Sequence, residues 1–153
     1  MPEQVDQAYT QSITRADFCA LAAAVYRTWE KSGNVKSVDK AVVSFSDTKD
    51  EYVLLCAALG VVNGVGGGKF APQQQLTRQQ AASMLHRLGN LRKNAKDNVK
   101  DRMPHVFADG ADIQAWARSD VYWAYNSGVM NGVSGNRFAP NNSYTHLSLI
   151  HIS

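Results

Sequence analysis

Arg15 and Arg78 each follow a threonine, in "ITRAD" and "LTRQQ", at the start of a stretch whose apolar residues recur at helical spacing. An arginine just inside a helix N-terminus adds a forked cation to the backbone amides and positive dipole end already there, a chemistry suited to holding a carboxylate. The plainer alternative is a surface arginine paired with a nearby acid. Other chemistries find less support. "NGVGGGKF" resembles a phosphate loop, but Asn63 stands where its first glycine should be and Phe70 replaces the metal-binding Ser or Thr. His86, His105, His146 and His151 are scattered, without a second His, Cys or acid pair at zinc or triad spacing. Cys19 and Cys56 lie in apolar helical stretches and read as small core residues. No catalytic group, metal or cofactor is expected.

The elements that must position the two arginines come in repeats. "GVVNGVGGGKFAPQQQLTR" (60–78) aligns without a gap on "GVMNGVSGNRFAPNNSYTH" (128–146), with ten identities in nineteen positions. Each copy is preceded by an aromatic-x-Asp start, "FSD" ending at Asp47 and "FAD" ending at Asp109. The Thr-Arg pair recurs at Thr14, Thr77 and, with the arginine replaced, Thr145.

"TKDEYVLLCAALG" and "IQAWARSDVYWAYNSG" place apolar residues at three-to-four spacing and end in glycine, which predicts an amphipathic helix with a left-handed C-terminal cap. "VVNGVGGGKFAP" is too glycine-rich to be helical and predicts a tight connector, with Phe70 and Phe138 turned inward and Pro72 and Pro140 ending it. Thr77 with Gln80 predicts a capping box, and Leu76 a hydrophobic staple, for a second helix. On that helix Ala81, Met84, Leu85 and Leu88 share a face, as do Phe18, Leu21, Ala22 and Val25 in the N-terminal copy. A unit this small cannot bury both its apolar faces alone, so neighbouring copies should pack on one another and function should lie between copies.

Composition narrows the class. The 153 residues are 44% hydrophobic and 19% charged, within the range of one globular domain or a few small modules. The longest apolar runs fall short of the roughly 20 residues that cross a bilayer, so no membrane insertion is expected. "MPEQVDQAYTQS" carries no export pattern. The net charge of +3 is mild, and its excess sits in "RLGNLRKNAKDNVKDR", where no aromatics are interleaved; this reads as a solvated helix end and linker, with no nucleic-acid partner.

In order and spacing, "FSD", "GVVNG", "KFAP" and "LTRQQ", then "FAD", "GVMNG", "RFAP" and "YTH", with "ITRAD" from an earlier unit, resemble the S-layer homology family across roughly residues 13 to 146. The resemblance implies a mainly α fold: tandem helix-loop-helix repeats packing as a pseudo-trimeric bundle with grooves between adjacent repeats. It also implies non-covalent anchoring to cell-wall polysaccharide, often pyruvylated, at the outer surface of a bacterium, and no catalysis. The ligand-binding residues expected on this basis are Arg15, Arg78, Asp47, Asp109, Asn63, Gly64, Asn131, Gly132 and Trp116. For Asp47 and Asp109 capping of the first helix and orientation of loop backbone is the competing role, for Gly64 and Gly132 a backbone shape that a side chain would block. Trp116 and Trp123 could each stack on a sugar ring or fill the core. A protein-docking module and a helix-turn-helix DNA reader are the alternatives; about sixteen residues of glycine-rich connector argue against the second.

The expected boundaries are the back half of a first repeat (1–30), a linker (31–42), a complete repeat (43–91), a basic linker (92–104), a truncated repeat (105–146) and a terminal run (147–153). "LSLIHIS" is compatible with one translation frame of a transposon-end sequencing adapter, so 147–153 reads as a non-native tail. Both ends read as cut from a longer secreted protein with further domains.

Overall fold

A computed structural model describes residues 12–93 and 105–145. Residues 1–11, the linker beyond Lys93 and everything from His146 onward, including the run 147–153, lie outside the described residues. There are four α-helices among the described residues: α1 Arg15–Lys31, α2 Glu51–Ala58, α3 Arg78–Gly89 and α4 Arg118–Asn126. Two short 3-10 turns, Gly110–Asp112 and Ala115–Ala117, precede α4. β contacts among the described residues are isolated bridges, so the chain is mainly α, as the repeat pattern predicts.

The chain divides into two compact units, residues 14–74 with 87–93, and residues 12–13 with 75–86 and 105–145. These units are out of phase with the sequence repeat. Each pairs the second helix of one repeat with the first helix and connector of the next.

In the first unit α1 starts at a capping box: the Asp17 amide donates to Thr14 Oγ1 (3.0 Å) and the Thr14 amide to Asp17 Oδ2 (3.2 Å). Its buried face is Phe18, Cys19, Ala22, Ala23 and Tyr26. That face is rotated from the one periodicity picks out, for Leu21 is exposed and Val25 only half-buried. The reason is the partner: α1 packs on the short α2, where Cys56 Sγ donates to the Cys19 carbonyl, and this draws the Cys19 side inward. Asp50 caps α2, accepting from the Tyr52 and Val53 amides. The helix closes at Gly60, whose φ of +80° lets the Val61 amide turn back to the Cys56 carbonyl.

In the second unit α3 begins with the predicted capping box, Thr77 N–H to Gln80 Oε1 (3.0 Å) and Gln80 N–H to Thr77 Oγ1 (3.3 Å). Leu76 is 1% exposed, and Ala81, Met84 and Leu85 on α3 are buried; Leu88, in the last turn of α3 and part of the first unit, is buried as well. α4 ends at Gly128, φ +78°, the counterpart of Gly60. The three residues that precede the three Thr positions meet here in a closed backbone ring. The Ile13 amide donates to the Tyr144 carbonyl, the Tyr144 amide to Leu76, and the Leu76 amide to Ile13 (3.1, 2.8 and 3.3 Å). All three side chains are buried beneath it. Within this unit the residues before the three Thr positions are thus tied to one another by a cycle of main-chain hydrogen bonds.

Tyr144 departs from the aliphatic residues at the other two ring positions. Its hydroxyl is buried with no hydrogen-bond partner among the described residues, and burial pushes the phenol pKa upward. A buried hydroxyl left unpaired costs about 1–3 kcal/mol. Tyr144→Phe is therefore expected to raise the urea midpoint, by about 1 kcal/mol of stability; a loss on substitution would mean the hydroxyl is bonded.

Candidate functional site

One clamp recurs in both units, and it is assembled from two successive repeats. At the start of α1, Arg15 Nε donates to the Phe70 carbonyl (2.9 Å) and Nη2 to the Asn63 carbonyl. At the start of α3, Arg78 Nε donates to the Phe138 carbonyl (2.9 Å) and Nη2 to the Asn131 carbonyl. Each guanidinium also lies over the ring it anchors, 4.4 Å from the Phe70 centroid and 4.9 Å from that of Phe138. Both arginines are buried, at 7% and 8% exposed, and lost hydration lowers the pKa of each. A fork of donors suits this task, since one planar group can satisfy two carbonyls of a bent connector at once.

The helix amides expected to stand open for an anion are instead taken by the connector. The Arg15 and Ala16 amides donate to the Gln74 and Pro72 carbonyls, and the Arg78 and Gln79 amides to Asn142 and Pro140. The next amide in each helix goes to the capping threonine. The dipole end therefore binds the protein's own chain, and the cation beside it faces carbonyls.

From the other side the connector is held by the aspartate of the aromatic-x-Asp start. Asp47 Oδ1 and Oδ2 accept the Phe70 and Ala71 amides, both at 2.9 Å; Asp109 does the same for Phe138 and Ala139, at 2.9 and 2.8 Å. Capping of α2 falls to Asp50, so Asp47 has only the loop-orienting half of the structural role. Ala71 and Ala139 adopt φ of +58° and +55°, a left-handed backbone that costs an L-residue about 1–2 kcal/mol, in the bend where two consecutive N–H groups meet one carboxylate.

The amides of Phe70 and then Ala71 hold the Asp47 pKa below the usual carboxylate range. A depressed folded-state pKa contributes stability that is present above the unfolded value of about 3.9 and disappears as pH falls through the folded value. Stability should therefore drop on acidification below about pH 4, and Asp47→Asn should flatten that part of the profile while lowering stability at neutral pH. Urea titrations at a series of pH values test this; an identical acid limb in the variant would refute it.

Gly64 and Gly132 are required by close approach. A Cβ on Gly64 would lie 2.9 Å from the Lys69 carbonyl oxygen and 2.9 Å from the Phe45 ring, whereas on Gly132 the distances are 3.1 Å to the Arg137 carbonyl and 3.6 Å to the Phe107 ring. Phe45 and Phe107, the aromatics of the "FSD" and "FAD" starts, cover these glycines. Gly64→Ala is expected to cost about 2 kcal/mol and Gly132→Ala distinctly less, because at Gly64 both the oxygen and the ring stand too close for a Cβ, whereas at Gly132 the oxygen is less close and the ring lies at ordinary contact distance. Equal costs by thermal melt would sink that ranking.

Asn63 and Asn131 are exposed beside these glycines while their carbonyls serve the arginines. Trp116 stands on the 3-10 turn before α4, 56% exposed. Trp123, half-buried, stacks on His86 of α3 (4.6 Å between centroids). Trp116 belongs to the second unit.

Sequence reasoning passed over three features. Lys69 and Arg137 are exposed cations at equivalent connector positions, a signal present in the repeat alignment as "KF" and "RF". Gln79, buried at 4%, takes the place of Ala16 and bridges Asn141 Oδ1 and the Gln114 amide. His86, which looked isolated along the chain, meets Asp120 Oδ1 through Nδ1 at 2.8 Å. Among the described residues no three of His, Cys, Asp and Glu are grouped as metal ligands, and no helix is long and apolar enough to cross a membrane.

Helix, connector and helix in tandem, with an arginine of one repeat locked into the connector of the next, define a repeat module whose packing unit spans two repeats. The chain belongs to the S-layer homology family: residues 42–82 and 106–146 each match the S-layer homology domain. It is 33% identical over 138 residues to the S-layer protein EA1 of Bacillus anthracis, covering 88% of this chain and 14% of that protein. A cell surface protein of Thermoanaerobacter kivui is 31% identical over 112 residues, 66% of this chain and 14% of the relative. An endoglucanase of Bacillus sp. (strain KSM-635) is 25% identical over 136 residues, 89% of this chain and 14% of the enzyme. The chain thus spans about a seventh of the length of these relatives. Family and relatives together mark it as a cell-wall anchoring module of the cell surface.

Proposed function

We propose that this chain holds a larger surface protein to the bacterial cell wall by binding an acidic wall polysaccharide, without catalysis of its own. The observation that carries the reading is the duplicated clamp. Both copies hold a glycine-rich connector rigidly from beneath, by arginine, and from the side, by aspartate, and both leave the same outward edge: Asn63, Gly64 and Lys69 in one, Asn131, Gly132 and Arg137 in the other. A fixed edge with one exposed cation suits a carboxylate-bearing saccharide such as a pyruvylated wall polymer, because a preorganised surface loses little on ordering its ligand. Trp116 supplies a face for ring stacking in the second copy. In this reading Arg15, Arg78, Asp47 and Asp109 shape the binding edge, and the exposed connector residues touch the polymer.

Binding to purified sacculi tests it, with soluble acidic wall saccharide as competitor and duplex DNA as the contrasting target, each at two salt concentrations. Retention on sacculi and release by the saccharide are expected, and the double variant Lys69→Ala with Arg137→Ala should bind several-fold more weakly at an unchanged melting temperature. Retention on DNA with a steep salt slope and none on sacculi would point to a nucleic-acid reader. Sacculus binding indifferent to the saccharide would point to protein docking.

A further inference from the structure

Cys19 on α1 and Cys56 on α2 are 37 residues apart in sequence and touch in the first unit: Cys56 Sγ lies 3.5 Å from the Cys19 carbonyl oxygen, and both residues are almost wholly buried, at 0% and 1% exposed. Both are free thiols. The neighbouring Cys56 side chain and then burial push the Cys19 thiol pKa far up. The clamp uses neither thiol. Their position has a mechanical consequence, because α1 belongs to one repeat and α2 to the next, and Arg15 at the head of α1 grips the connector that follows α2.

We propose that Cys19 and Cys56 form a reversible disulfide that staples the second helix of one repeat to the first helix of the next. The oxidant is a small disulfide of the glutathione class. One cysteine thiolate attacks it, a mixed disulfide forms, and one small thiol leaves. The second cysteine thiolate then attacks the protein sulfur of that mixed disulfide, the Cys19–Cys56 bond forms, and the second small thiol leaves. Two electrons and two protons pass from the cysteine pair to the oxidant, which ends as two thiols. Buried neutral thiols are poor nucleophiles, so exchange proceeds while α1 is open from α2, during folding or local unfolding, and is slow in the closed state. A surface-exposed compartment is one in which such a bond persists. Once formed, it joins positions 37 apart in sequence and restricts the unfolded chain.

The full chain is refolded either in oxidised and reduced glutathione or in dithiothreitol, then unfolded and alkylated. In the oxidised sample the mass should fall by about 2 Da, two hydrogens, with no site left to alkylate. Its melting temperature should rise by on the order of 10 °C over the reduced sample, and dithiothreitol should reverse both changes. Cys19→Ala should show neither change. If that variant does not fold, the oxidised and reduced forms of the unaltered chain decide the matter. Two alkylatable thiols after oxidative refolding, glutathione adducts in place of the internal bond, disulfide-linked dimers, or an oxidised form no more stable than the reduced one would each overturn the proposal.

Discussion

Replacing Arg78 by alanine is expected to lower stability by about 3–5 kcal/mol and to abolish wall binding along with the fold of its connector. The buried Phe138 carbonyl loses its donor, which costs about 1–3 kcal/mol, and the more exposed Asn131 carbonyl loses its bond to the guanidinium at a smaller cost. The ring of Phe138, fully buried beneath the guanidinium, loses its cover as well. Arg78→Lys should recover less than half of the loss, because one ammonium cannot fork to two carbonyls in fixed geometry. Urea unfolding of the three proteins, paired with sacculus binding, separates two roles that sequence alone leaves entangled. A variant that keeps its stability but no longer binds would make Arg78 a direct ligand contact and remove the clamp as its function.

Leu76→Ala carries the other large effect, about 2–5 kcal/mol. The side chain is 1% exposed at the three-way ring, where its amide serves Ile13 and its carbonyl serves Tyr144. Truncation leaves a cavity walled by residues whose main chains are tied to one another, and a site so constrained relaxes little. The same substitution at Leu21, exposed on α1, should cost less than about 0.5 kcal/mol. A comparable loss at both positions, by denaturant midpoint, would mean that the ring is not a core.

In the proposed function, rigidity and recognition fall to different residues. Arginine and aspartate spend their hydrogen-bonding capacity on the connector, and what faces outward is what the repeat leaves free to vary: Gly66 to Gly68 and Lys69 in one copy, Ser134 to Asn136 and Arg137 in the other.

Much was legible in the chain because it is local. Helix starts follow from Thr14 with Asp17 and Thr77 with Gln80, helix ends from Gly60 and Gly128, and the inward turn of Phe70 and Phe138 from an aromatic flanked by residues unable to stay helical. The repeat also located the residues of the clamp before any contact was known. Tertiary structure alone decided what those residues do. A threonine-arginine pair at a helix start has the same local signature whether the guanidinium faces a ligand or a carbonyl, and its partners at Asn63 and Phe70 lie 48 and 55 residues away. The rotation of α1 that buries Cys19 and exposes Leu21 depends on which helix lies opposite, and periodicity cannot name that helix. The phase shift between repeat and packing unit has the same origin: local spacing determines each helix and cap, while burial of a face too large for one repeat is settled only by the neighbour that covers it.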